Sequence, residues 1–394
     1  MDTINDDQHS ADISTKKKGR AAVPVFSGGL IWTLVLILGA GFLMVSSASL
    51  AYADKLYDDT FYFVKRHLIF LVISSSLAAS LFPVPTDFWR KHSAKLFVIT
   101  LLLLLLVFVP GIGRKVNGAS RWINLVLLNF QPSELMKLAT VLFVSDYVAR
   151  KSHLLYQVAK TLTPIGSAML LVSLLLIAEP DLGATVVVMT LTVSILFLGG
   201  IPMKVVWSVL AFGITAVVGL VLISPYRMKR VMGFTDPFSD PYGSGYQLAQ
   251  SLIAYGRGDW FGLGLGRSIQ KMHYLPEAHT DFIMAIITEE FGVVGLFVML
   301  TLFLTLIWQI FDVATVAKKL TFYYQALVAQ AIGIWIAIQV FINVSVTIGL
   351  VPTKGLTLPF VSFGGSAMLV LMAAMAIVFR IDYENRCAMQ GGRK

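Results

Sequence analysis

Charge and cysteine are what this chain most conspicuously lacks. Only 13% of its 394 residues are charged, and Cys387 is its one cysteine. A soluble domain carries roughly a quarter charged residues, so an ordinary water-soluble enzyme is excluded. A lone cysteine forms no internal disulfide and no two-cysteine metal cluster, which removes secreted disulfide scaffolds and cysteine-based metal sites. A 57% hydrophobic content and a mean hydropathy of +0.77 exclude disorder. Acidic residues are also the minority, 22 against 31 Lys and Arg. The resulting charge of +9 fits the basic loops of a polytopic membrane protein better than a nucleic-acid partner.

What the chain has instead is a series of long apolar runs. A helix crossing the hydrocarbon core needs about 20 predominantly apolar residues. Ten candidates centre on Leu30–Ser49, His67–Phe82, Leu96–Pro110, Leu135–Val148, Pro164–Ile177, Leu182–Leu198, Val205–Ser224, Asp281–Ile310, Tyr324–Leu350 and Gly365–Phe379. The expected fold is all-α, a polytopic integral membrane protein of about ten transmembrane helices, with no internal repeat at a fixed period. Residues 1–23 are polar and carry Lys16, Lys17, Lys18 and Arg20, which predicts a disordered cytoplasmic tail rather than a cleaved signal peptide. The membrane domain is expected over 24–381 and a second cytoplasmic tail over 382–394. This orientation puts Arg90, Lys91, Lys95, Arg150, Lys151, Lys160, Lys204, Lys318 and Lys319 inside, as the positive-inside rule prefers.

Four segments rich in glycine and charge then fall on one side: Gly111–Ser133, Glu179–Asp181, Pro225–Thr280 and Val351–Gly364. They read as non-helical. The third, residues 225–280, is a large extracytoplasmic loop between the seventh and eighth spans. Connectors alone could be as short as Gly199–Pro202, so the four segments read as a site built on a helical scaffold.

Within them, Asp281 stands where loop gives way to apolar helix, after His279 and Thr280. A carboxylate there can serve the helix N-terminus. Partial burial would also raise its pKa and make it a proton acceptor. His279 is expected to hydrogen-bond rather than ligate metal. In Glu179-Pro180-Asp181, Asp181 is placed to cap the sixth helix. Glu179 needs a counter-charge, for which Lys137 is a candidate, although Glu134 is nearer to Lys137 at helical spacing. Of Glu289 and Glu290, at least one must face protein or water. Arg114, Lys115 and Arg121 flank Asn117 and Trp122. They suit either snorkelling at the membrane interface or phosphate capture by the arginine fork. Arg227 and Arg230 present the same two readings.

Five strings in order, NGASRWINLVLLNFQPSELMKL (117–138), EPDLG (179–183), DPFSDPYGSGYQLAQSLIA (236–254), QKMHYLPEAHTDFI (270–283) and NVSVTIGLVPTKGLTLPFVSFGG (343–365), resemble the SEDS family of bacterial shape, elongation, division and sporulation proteins. The resemblance spans about Leu30–Arg380, and PTKGLTLPF is similar to the division type. Phe363 replaces a usual tyrosine, Ser345 and Thr347 differ from common residues, and GRGDWFG at 256–262 is more charged.

The resemblance implies a peptidoglycan glycosyltransferase that polymerises lipid II at the outer face of the bacterial inner membrane and releases undecaprenyl diphosphate. By the HTDF string it implies Asp281 as the catalytic base. Substrate contacts are implied at Arg121, Lys137, Glu179, Arg227, Arg230, Gln250, Lys271, His279, Lys354 and Ser362, with a divalent cation, Mg or Mn, as an optional aid. The implied partners are a class B penicillin-binding protein transpeptidase (FtsI type) and other divisome proteins at the septum. Two other readings are a lipid II flippase, which should show comparable polar sites on both faces, and a non-catalytic scaffold, which gives no reason for Asp281.

Overall fold

The computed structural model describes residues 27–391, apart from 117–118, 126–127, 153–157, 240–242, 244 and 353–354. The 1–23 tail therefore lies outside the described residues. Each of the ten apolar runs forms a helix: α1 (Gly28–Tyr57), α2 (Tyr62–Leu81), α3 (Thr86–Leu106), α4 (Pro132–Lys151), α5 (Val158–Ala178), α6 (Leu182–Leu198), α7 (Met203–Ile223), α10 (Ile283–Lys319), α11 (Tyr323–Thr347) and α12 (Gly365–Met389). Among the described residues, six of them are long and apolar enough to cross a membrane by length and composition alone. The chain is a multi-pass membrane protein.

Helix α4 is the informative exception to apolarity. It carries Glu134, Lys137 and Asp146, yet all three are buried and paired, with Lys137 on Glu134 and Asp146 on Arg90 and Arg150. Charges in a membrane bundle turn inward toward partners, so α4 sits inside, packed by α3, α6, α11 and α12. Helix α7 is the opposite case. It is apolar throughout and buries no residue, and among the described residues it packs mainly on α6 and on the helix over Pro225–Thr235.

The segments expected to be non-helical contain regular structure. Residues 113–130 hold a small antiparallel sheet of β1 (Gly113–Val116), β2 (Ala119–Leu125) and β3 (Leu128–Phe130). The 225–280 loop contains α8 (Pro225–Thr235) and α9 (Tyr246–Gly258), followed by a kinked turn over Gln270–Tyr274 that the Leu275 N–H closes on Gln270 O at 2.9 Å. In α9, Leu248, Ser251, Ala254 and Gly258 recur at helical spacing and are buried, so one face docks on α10.

Helix α12 runs to Met389, because Arg380–Glu384 and Asp382–Arg386 pair one turn apart. Asp382 further accepts the Ser27 N–H at 3.1 Å, and Asn385 donates to the Val313 carbonyl at 3.0 Å. Residues 382–389 thus prolong the last helix and dock on the bundle.

Candidate active site

Asp281 is mounted on the link that enters α10. Three consecutive carbonyls of that link each accept a different hydrogen bond. The Phe363 N–H reaches His279 O at 3.0 Å, the Ser362 hydroxyl reaches Thr280 O at 2.5 Å, and the Asn343 amide reaches Asp281 O at 2.9 Å. The same Asn343 nitrogen donates to Leu356 O at 2.7 Å, and Ser362 Oγ accepts the Leu358 N–H at 2.9 Å. The acid is therefore fastened to the α11–α12 connection. Asp281 itself is half-buried.

That connection dives between helices rather than lying on top of them. Leu356, Leu358, Phe360 and Val361 are buried, and a Cβ at Gly41 in the middle of α1 would meet Phe360 O at 2.7 Å. Its other side meets the first turn of α6, where a Cβ at Gly183 would lie 3.1 Å from the Leu356 side chain.

The α5–α6 link is satisfied in part. Asp181 caps α6 through the Ala184 N–H at 3.1 Å, and it also accepts from Ser133 at 3.1 Å and Gln131 at 3.3 Å. Arg121 on β2 reaches across with Nε 3.1 Å from the Glu179 carbonyl, and a terminal nitrogen donates to Pro180 O. Ser366 at the start of α12 accepts the Gln131 N–H and donates to Asn129 O, both at 3.1 Å. The 111–133, 179–181, 279–281 and 355–366 stretches are thereby joined by direct contacts.

Glu179 differs from Asp181. It is fully buried, and neither carboxylate oxygen has a hydrogen-bond partner among the described residues. Burial pushes its pKa up to about 8, the Asp181 charge adds to the rise, and Arg121 opposes it. The group is thus an uncharged carboxylic acid at neutral pH. His279 is held neutral by the same physics: burial lowers its pKa to about 4 despite the nearby Glu277. Its ring lies in an aromatic box, 4.6 Å from Phe63, 5.3 Å from Tyr52 and 5.8 Å from Phe363 between centroids.

Two of the other expected cations have protein partners. Lys137 is not the counter-charge of Glu179: it pairs with Glu134 at 2.7 Å, one turn away, and lies 5.7 Å over the Trp335 ring. Lys271 is buried and pairs with Glu290 at 2.7 Å, with the Ser47 hydroxyl at 2.8 Å. Glu289 accepts the Ile269 and Gln270 N–H groups, both at 3.2 Å, and the Ser268 hydroxyl. Both acids therefore face protein. An apolar groove of about 360 Å³ runs beside Lys271, between Leu43–Ala51 of α1 and Leu265–Met272. Gln250 is half-buried on α9. Lys354 and the side chains of Arg227 and Arg230 lie outside the described residues.

Asn343 and Gln131 join the arrangement although neither stood out as a site residue in sequence. The available signal was a carboxamide near the end of an apolar helix, which needs a partner wherever it is buried. Among the described residues, no three His, Cys, Asp or Glu side chains are grouped to hold a metal. A Mg2+ or Mn2+ ion that takes most of its ligands from a diphosphate needs only one or two carboxylates, and Asp281 and Glu277 are the half-buried ones here.

Residues 29–387 match the family described as cell cycle protein, FtsW/RodA/SpoVE. The chain belongs to this family. It is 45% identical over 387 residues to the "Probable peptidoglycan glycosyltransferase FtsW" of Polynucleobacter necessarius, covering 97% of this chain and 91% of that one. The protein of the same name from Nitrosomonas europaea is 43% identical, with 92% and 94% covered. Among solved structures, a chain from work on the structural coordination of polymerization and crosslinking by a peptidoglycan synthase complex superposes with a TM-score of 0.72 at 28% identity. It covers 92% of this chain and 99% of its own. The rod shape determining protein RodA of Thermus thermophilus gives 0.68 at 25% identity, covering 91% and 97%.

Proposed function

We propose that this chain is a peptidoglycan glycosyltransferase that polymerises lipid II into β-1,4 glycan strands. The observation that carries the reading is the joining of four separate polar segments around the clamped acid Asp281. Those contacts draw together segments that lie far apart in sequence, as a built site requires.

In this reading Asp281 takes the proton from the 4-hydroxyl of the acceptor sugar. The freed oxygen pair attacks the anomeric carbon of the donor while its bond to the diphosphate breaks. The α-linked diphosphate becomes a β-1,4 linkage, and undecaprenyl diphosphate leaves with the bonding electrons. Charge growing on the leaving group needs fixed donors already aimed at it. Arg121 supplies one, its guanidinium held by two backbone carbonyls with N–H groups left over. Arg227, Arg230 and Lys354 are the further cations assigned to this role. Glu179, uncharged at neutral pH, adds no repulsion against an anionic substrate.

The N- and C-termini face the cytoplasm, Asp281 faces the outer compartment, and the enzyme works at the division septum beside a class B penicillin-binding protein. The basic short loops support this orientation, and the synthase-complex neighbour supports a crosslinking partner.

The test uses purified chain in lipid bilayers with lipid II, alone and with a cognate transpeptidase. Glycan product is assayed alongside transfer of lipid II between leaflets. Asp281→Asn keeps the side chain's size and most hydrogen bonding, so folded protein without glycan product is expected. Glycan synthesis at the unaltered rate by Asp281→Asn, or leaflet transfer without polymerisation by the unaltered chain, would overturn the reading.

A further inference from the structure

We propose that Asn343 is a positioning residue for the transfer reaction, a single carboxamide that sets the place of the base. The inference rests on the reading of Asp281 as that base. Asn343 lies near the end of α11, is buried, and points its Nδ2 at two carbonyls from segments far apart in sequence. One belongs to Asp281 at 2.9 Å and the other to Leu356 at 2.7 Å. An amide nitrogen has two hydrogens, and both are used here to tie two chain segments together.

Those two segments make up the immediate surroundings of the acid. Leu356 is next to Gly355, whose missing side chain leaves space beside Asp281 Oδ2, and it also packs on Gly183 in the first turn of α6. One carboxamide therefore bridges the Asp281 backbone to the 355–356 stretch. Ser362 and Phe363 fix the two preceding carbonyls from the far end of the same connection. They hold the link, but only Asn343 holds residue 281 itself among these three donors. A base displaced by about 1 Å can lose on the order of a hundredfold in rate. A device that pins backbone to backbone acts on the catalytic step rather than on substrate capture.

Two substitutions test this in bilayer-embedded full-length chain, with its transpeptidase where activity requires it. Asn343→Ala removes both donors. Asn343→Asp keeps the shape but turns an acceptor toward two carbonyls, and it carries the test wherever the alanine variant does not accumulate. Each is measured alone and combined with Asp281→Glu, which already moves the carboxylate by one methylene. The expected result is a fall in kcat of about 10- to 100-fold, with KM for lipid II within about threefold. In the Asp281→Glu background the same change costs less than twofold, because groups acting through one another are not additive. A kcat within twofold of the parent overturns the inference, as do losses that multiply in full with Asp281→Glu. The wider reading fails separately. Glycan synthesis by Asp281→Asn sinks the base assignment, whereas an inactive Asp281→Asn beside additive Asn343 variants sinks only the role of Asn343.

Discussion

Gly355 stands so close to Asp281 that a Cβ on it would lie 2.9 Å from Oδ2 of the carboxylate. Residue 355 is exposed, so no core is at stake in changing it. A methyl group can be accommodated only if the short Asp281 side chain turns away. Gly355→Ala is expected to lower kcat about tenfold while leaving thermal stability and lipid II binding unchanged. Gly355→Val should lower it further. Full activity in both variants would show that the orientation of the carboxylate here does not matter to the reaction.

Much of this arrangement could be read from the chain before its fold was known. Ten apolar runs became ten helices, since span length and hydropathy are local properties. The cap at Asp181 followed from its place before an apolar run, and the pairing of Lys137 with Glu134 was the option favoured by helical spacing. Partners distant in sequence were not legible. Lys271 reads as a free outer cation until Glu290, nineteen residues on, and Ser47 of α1 are seen around it. Asn343 reads as a polar residue in an apolar helix, because nothing local reveals which carbonyls it will meet. The sheet over 113–130 was hidden by its short strands and interspersed charges, and α9 by its glycine-rich flanks.

The Lys271–Glu290 pair offers a way to separate structural from substrate roles. Both side chains are almost wholly buried, at 7% and 0% exposure. Removing one partner leaves an uncompensated buried charge, which costs about 3–5 kcal/mol. Lys271→Met and Glu290→Leu should each depress the melting temperature sharply. Replacing both residues together should restore most of the loss, because an apolar pair of similar volume is tolerated at such sites. Glycan synthesis by the restored double variant assigns Lys271 to the scaffold. A stable double variant without activity assigns its ammonium to substrate instead.

Gly292 interrupts α10 at φ 70 and ψ −167, a conformation essentially reserved for glycine. The break is filled by the loop after α9: Val293 and Val294 donate to Asp259 O and Trp260 O at 2.9 and 3.2 Å. Leu263 and Gly264 in turn donate to Glu289 O and Glu290 O at 3.0 and 2.9 Å. A side chain at 292 would collide with the Trp260 carbonyl as well as strain the backbone. Gly292→Ala is therefore expected to cost more than the roughly 1–3 kcal/mol of backbone strain alone. Reduced yield of monodisperse, membrane-inserted protein is the measurement. Normal yield and melting would mean that the break tolerates a side chain.

Glu179 and His279 make opposite demands on pH. Glu179 titrates near 8 when folded against an ordinary value of 4.5. Below pH 4.5 it is neutral in both states and costs nothing. Between pH 4.5 and 8 the unfolded chain sheds a proton that the folded one keeps, so folding weakens steadily as pH rises. Above 8 the penalty is complete. His279 titrates near 4 when folded against 6.5, so its contribution is intact above pH 6.5 and declines as pH falls toward 4. Glu179→Gln should therefore melt close to the parent at pH 4.5 and progressively higher than it up to pH 8, with the gap constant beyond. His279→Gln should instead gain on the parent below pH 6.5, because an amide is never protonated in this range. Melting curves of both variants and the parent from pH 4 to 9 provide the check. A Glu179→Gln gap that fails to widen between pH 4.5 and 8 would mean that the buried acid is ionised after all, with a counter-charge stabilising it.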